Sequence, residues 1–162
     1  MKKIFGPLLV VLFHTVSAFA GQNIPPEVRI AAAVILKASD KDVVHEEGFK
    51  WGRDNAGNVL ISYALPGPQC PPPPANCRMD FISADPSIDE KFVTIDGFAH
   101  VHPKGNVSHI TLQKPSTVDL AFAALTPLGT INLVIGSGSQ IVYFFDSKGV
   151  ISTAKLKDFL KP

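Results

Sequence analysis

The sequence predicts a mixed α/β domain, a sheet of mixed strands flanked by helices. Three observations carry that expectation. An alanine-rich helical stretch stands near the start, a second helix opens at Pro115-Ser116, and short apolar strand-like runs bounded by turn residues fill the ground between and after them. The 162 residues suffice for one domain with a real core. Two cysteines are too few for a disulfide scaffold or a four-cysteine zinc knot.

Residues 1–20 read as a secretory leader. Lys2 and Lys3 precede an apolar run centred on Leu8 to Phe13, and Ala18-Phe19-Ala20 has the small-x-small pattern of a cleavage site. The run is short for a bilayer span. The expected mature chain is therefore 21–162, a single domain without a membrane anchor, periplasmic or secreted. The formal net charge is +1 from 15 basic and 14 acidic residues. Losing the two leader lysines leaves one acid in excess. So neutral a chain has no electrostatic footprint for nucleic acid or an anionic membrane, and both are excluded as partners.

Pro25 and Pro26 sit where a helix can begin, with Asn23 upstream as a cap; Glu27 to Ala38 is rich in helix formers and acidic at its N-terminal end. Its broad apolar side predicts packing on a sheet. Glu46 to Gly52 and Val59 to Ala64 are expected strands around the turn Asp54-Asn55-Ala56-Gly57. The Pro-rich stretch 66–78 contains four consecutive prolines at 71–74, which lack ladder donors and make it a stiff loop. Cys70 and Cys77 bracket those prolines. In an exported chain a disulfide there is the simplest reading, worth about 2–3 kcal/mol, with metal binding by the pair as the alternative.

Phe92 to Ile95 and Phe98 to His102 read as strand, either continuous or kinked at Asp96-Gly97. A loop follows through Asn106. The next helix opens at Pro115-Ser116, holds Asp119 in its first turn and runs to Leu125, before Thr126-Pro127-Leu128-Gly129. Ile131 to Ile135 and Gln140 to Phe145 form a hairpin around Gly136-Ser137-Gly138-Ser139. Ser152 to Leu160 reads as a closing helix with Leu156, Phe159 and Leu160 on one side.

The chemistry-bearing stretch is His100-Val101-His102-Pro103, followed by Ser116-Thr117-Val118-Asp119. Alternate side chains of a strand share a face, so both imidazoles project together and can reach one tetrahedral metal. Asp119 can add a carboxylate oxygen. Two His and one Asp make the three protein ligands of a catalytic zinc site, which keeps a fourth position for water. Each fragment alone is also compatible with half-exposed strand histidines and a routine helix start. Other catalytic patterns are missing. Gly136-Ser137-Gly138-Ser139 is not a Gly-x-Ser-x-Gly elbow, and there is no phosphate loop or dinucleotide fingerprint. Phe122, Phe144 and Phe145 read as core.

His-x-His-Pro followed by Ser-x-x-Asp resembles the JAMM (MPN/JAB-like) metalloprotease motif. The resemblance extends to a bacterial, DUF4329-type branch in the stretch Gly97-Phe98-Ala99-His100-Val101-His102-Pro103-Lys104-Gly105-Asn106 and covers about Pro26 to Val150. It implies a JAMM/MPN-like, cytidine-deaminase-like architecture. It also implies Zn2+ held by His100, His102 and Asp119, with Ser116 hydrogen-bonding the oxyanion. The family's upstream glutamate, which takes the proton from the attacking water, corresponds to Glu46 or Glu47; one residue between glutamate and Gly48 favours Glu46. The segment 103–115 is longer than the family's spacing and holds Asn106, Ser108 and His109; His109 reads first as a solvated loop histidine, with a substitute ligand as the alternative. The implied activity is zinc-dependent hydrolysis of peptide or isopeptide bonds, in peptidoglycan peptides or a partner protein. The alternative is a non-catalytic periplasmic binding or accessory module on the same fold. The sequence leaves the oligomeric state open.

Overall fold

The first helix owes its place to the spacing of Val28, Ala31, Ala32 and Ile35. These residues line one stripe of a 3.6-residue repeat, and all are buried. This helix, α1 (Pro26–Ser39), lays that stripe on β1 (Glu47–Arg53), β2 (Val59–Tyr63) and β3 (Thr94–His102). The computed structural model describes residues 24–42, 45–68, 79–104 and 113–161. The expected leader at 1–20, the Cys70–Cys77 bridge and His109 lie outside them. Among the described residues, no helix is long and apolar enough to cross a membrane.

The other elements are α2 (Pro86–Asp89), α3 (Thr117–Ala123), β4 (Ile131–Gly136), β5 (Ile141–Asp146), β6 (Gly149–Lys155) and α4 (Leu156–Phe159). The six strands form one sheet in the order β2-β1-β3-β4-β5-β6. Only β3 and β4 are parallel, and α3 lies on the crossover that joins them. The sheet is therefore mixed and flanked by helices, as expected. One face packs Phe49, Trp51, Ala99, Val101, Leu133 and Ile135 against α1, with Leu156 and Phe159 of α4 in the same core. The opposite face carries His100 and His102 under α3 and the segment 79–92.

Period-two alternation decides which face each residue meets. In β3, Ala99 and Val101 are fully buried in the α1-side core, which sends Phe98, His100 and His102 to the other side. The strand is continuous. The irregularity lies in its pairing with β1, where Trp51 faces Gly97 but Gly52 faces Ile95, so Asp96 is an extra residue. Gly97 is required there, because a Cβ would stand 2.1 Å from the Trp51 ring.

Several expectations need correction. The N-cap position of α1 is Pro25, with no side-chain cap bond from it, and the expected cap Asn23 lies outside the described residues. The second predicted helix ends at Ala123, not Leu125. The closing helix predicted over Ser152–Leu160 is split: Ser152–Lys155 belong to β6, which pairs antiparallel with β5, and only Leu156–Phe159 is helical. Val150, Ile151 and Thr153 are β-branched and suit the strand, while Leu156 and Phe159 keep their expected apolar contact. The short α2 was not anticipated. Asp85 caps it by accepting from the Ser87 N–H, and Pro86 occupies its first turn.

Candidate metal centre

His100 and His102 end β3 side by side, with Nε2 atoms 3.1 Å apart. Asp119 reaches them from α3. Its Oδ1 is 3.1 Å from His100 Nε2 and its Oδ2 is 3.4 Å from His102 Nε2. Glu46, just before β1, places Oε1 3.3 Å from His102 Nε2. Donor atoms around a tetrahedral zinc, at bonds of about 2.0–2.1 Å, stand about 3.3 Å apart. The spacings between these nitrogens and carboxylate oxygens match such an edge length.

Glu46, His100 and His102 form a buried group whose ligand atoms all lie within 4.8 Å of one another and can hold a metal ion. Asp119 stands outside that group of three but contacts both of its imidazoles. Their side chains are only 2%, 4%, 7% and 11% exposed for Glu46, His100, His102 and Asp119. Burying two carboxylates is costly unless their charge is compensated. Among the described residues, no lysine or arginine is among the charges acting on Glu46, His100 or Asp119. The charges that do act to offset burial are those of His100 and His102, and a divalent cation held by the group can add to them; imidazole nitrogen and carboxylate oxygen are donors that zinc accepts.

The local fold explains how each group arrives. Ser116 is the N-cap of α3; its Oγ accepts from the Asp119 N–H at 3.2 Å, while Asp119 Oδ2 accepts from the Ser116 N–H at 2.6 Å. This reciprocal capping box holds the Asp119 carboxylate towards the imidazoles. As an acceptor in that bond, Ser116 retains a hydroxyl proton to donate. Glu46 shares its face with Gly48 and Lys50, and Gly48 sits opposite His100. A Cβ at position 48 would stand 2.9 Å from the Ala99 carbonyl oxygen and 3.2 Å from His100 Cβ. A glycine two residues after Glu46 therefore lets β1 press against the histidine strand.

Glu47 is not brought to the cluster. It pairs in register with Val101, on the α1 side, and the charges acting on it are Asp42 and His45. Burial, then Asp42, push its carboxyl above the ordinary value.

The two clustered carboxylates are driven in opposite directions. Burial raises Glu46 against the lowering pull of His100 and His102. Burial would also raise Asp119, but His100 and His102 outweigh it and hold that carboxyl far below the usual range. For His100, burial favours the neutral ring, yet Asp119 and then Glu46 prevail and raise its pKa.

Other contributors were not legible as site residues. Gln113 is buried; its Nε2 donates to the Pro103 carbonyl, and its Oε1 accepts from the N–H groups of Gly138 and Ser139. Ser137 donates through N–H and Oγ to the His102 carbonyl. These bonds clamp the end of β3 to the β4–β5 turn. The Gly-Ser-Gly-Ser run signalled only a hairpin, and Gln113 lay in a predicted loop.

No protein-family model matches the chain, and no curated protein matches it.

Proposed function

We propose that the chain is an exported zinc-dependent amide hydrolase of JAMM type, cleaving peptide or isopeptide bonds. The observation that carries this reading is the set of 3.1–3.4 Å spacings joining His100, His102 and Asp119, with Glu46 beside them. His100, His102 and Asp119 hold the metal. Asp119 is favoured over Glu46 as the carboxylate ligand because its two oxygens touch both rings, whereas Glu46 reaches His102. A zinc ion at this point supplies Lewis-acid chemistry, acidifying water towards neutrality and polarising a carbonyl oxygen.

The chain's own residues do the rest. Glu46 takes the proton from the attacking water at its carboxylate and passes it to the leaving amine. Ser116 donates a hydrogen bond from its hydroxyl to the substrate carbonyl oxygen as negative charge develops there, keeping its proton. Asp119, locked by the α3 cap, keeps both imidazoles turned to one point. The buried surroundings exclude bulk water and strengthen each of these interactions. The substrate carries an amide whose carbonyl can reach the centre: a peptide, an isopeptide or a peptidoglycan peptide.

A second reading has its own support. Glu46 Oε1 stands as close to His102 as Asp119 does. If Glu46 is a fourth ligand, the site is closed like a structural zinc site, and the chain is a non-catalytic accessory module. Glu46→Gln separates the two. As a base, its loss leaves zinc content at one equivalent and abolishes turnover of a peptide library. As a ligand, its loss removes the zinc. Turnover that survives Glu46→Gln overturns the base assignment.

A further inference from the structure

We infer that Phe81 is a positioning residue for the metal site, an aromatic wedge that sets His100 against the helix carrying Asp119. This inference rests on the metal reading above. Phe81 is buried, yet its φ is +50°, in the left-handed region that a bulky side chain rarely occupies. Such a backbone persists where surrounding contacts over-determine it, and it clusters at functional sites.

The contacts are specific. The Phe81 ring meets His100 edge-on, with centroids 5.9 Å apart and planes at 80°. It meets Phe98 at 5.1 Å and 67°, and it stacks on Phe122 at 5.2 Å and 28°. Phe98 and His100 are alternate residues on one face of β3. Phe122 lies three residues after Asp119, on the same side of α3. The Phe98 and Phe122 rings close the triangle at 4.9 Å and 88°. One ring from a third segment thus touches both elements that bring His100 Nε2 and Asp119 Oδ1 to 3.1 Å. Met79, two residues earlier, places its Cε 3.2 Å from where a Cβ on Gly48 would stand, so the same segment also lies along the strand that follows Glu46.

Aromatic rings prefer edge-to-face arrangements, so a ring beside His100 favours particular tilts of the imidazole, a preference that a branched aliphatic side chain lacks. Tilt decides where Nε2 points, and groups that orient metal-binding histidines govern affinity. Simple core filling predicts a loss of stability alone. Positioning predicts a change at the metal.

The test compares untagged wild type, Phe81→Leu, Phe81→Tyr and Phe144→Leu, the last buried on the opposite face of the sheet. Zinc affinity is measured by competition with a chromophoric chelator, thermal unfolding is followed in the metal-free state, and the visible spectrum is recorded with cobalt(II) in place of zinc. Phe81→Leu is expected to weaken zinc binding about tenfold or more and to alter the cobalt bands. Phe81→Tyr keeps both near wild type. Phe144→Leu lowers the melting temperature without moving affinity or spectrum. Phe81→Met gives the same comparison should the leucine variant not fold. Unchanged affinity and cobalt bands in Phe81→Leu or Phe81→Met, with wild type binding zinc, overturn the inference alone. Failure of wild type to bind zinc overturns it together with the metal reading.

Discussion

Asp119 and His100 meet at 3.1 Å, although one opens a helix and the other ends a strand. The same carboxylate accepts from the Ser116 N–H at 2.6 Å, so the helix cap and the imidazole contact share one side chain. Local chemistry at the start of α3 thereby sets the geometry of the cluster, before packing elsewhere contributes.

Ser116→Ala should expose that link. Loss of the cap is expected to lower stability by about 1 kcal/mol, read from urea unfolding. The variant keeps the backbone N–H from which Asp119 Oδ2 accepts and loses only the Oγ that accepts from the Asp119 N–H. Zinc affinity therefore falls only as far as the first turn of α3 loosens, while amide turnover falls further because the hydroxyl donor is gone. Ser116→Thr retains the cap and restores stability. Equal affinity in Ser116→Ala and wild type would show that the hydroxyl half of the cap does not orient the ligand.

Stability should respond to pH in opposite ways with and without zinc. In the metal-free chain, burial holds Glu46 above its ordinary 4.5, and Asp119, outweighing burial, holds His100 above its ordinary 6.5. Contributions from these raised groups are complete below the ordinary values and are lost as pH rises through the raised ones. The lowered Asp119 contributes above its ordinary 3.8 and loses that contribution as pH falls through its depressed value. Metal-free stability from the cluster therefore declines as pH rises above the ordinary 4.5 of Glu46 and declines further above the ordinary 6.5 of His100. Stabilisation by zinc grows over the same rise in pH, because binding releases the imidazole proton. Thermal unfolding in chelator and in zinc checks this; parallel curves would contradict it.

Gly48→Ala tests the close approach of β1 to the histidine strand. The added methyl meets the Ala99 carbonyl and His100 Cβ, and backbone must shift to admit it. A destabilisation of about 1–3 kcal/mol is expected, together with weaker zinc binding. Ala56→Gly, in the exposed turn between β1 and β2, serves as the control and leaves zinc affinity unchanged.

Much of this was legible in the sequence because local rules dominate there. The His-x-His alternation follows from the strand period alone, and Ser116 with Asp119 announces a helix start whatever the tertiary fold. The mixed sheet follows from where helices interrupt the strand runs. Position 46 was favoured over 47 by the Glu-to-Gly spacing that the family resemblance implies, but the face each occupies depends on which side of β1 packs on α1. That is a tertiary fact. Phe81 and Gln113 were invisible for the same reason. Each acts on elements remote in sequence, and neither residue type signals a site. The closing strand was misread because Leu156, Phe159 and Leu160 carry helical spacing, while its β-branched residues find their partner only in β5.

Zinc titration of the untagged, chelator-treated chain tests the central claim most directly, with wild type compared with His100→Ala, His102→Ala and Asp119→Asn. The account predicts one zinc ion per chain in wild type and an affinity loss beyond about a hundredfold in each variant, with folding retained by circular dichroism. A wild type that binds no zinc, or variants that bind it as tightly as wild type, would contradict it.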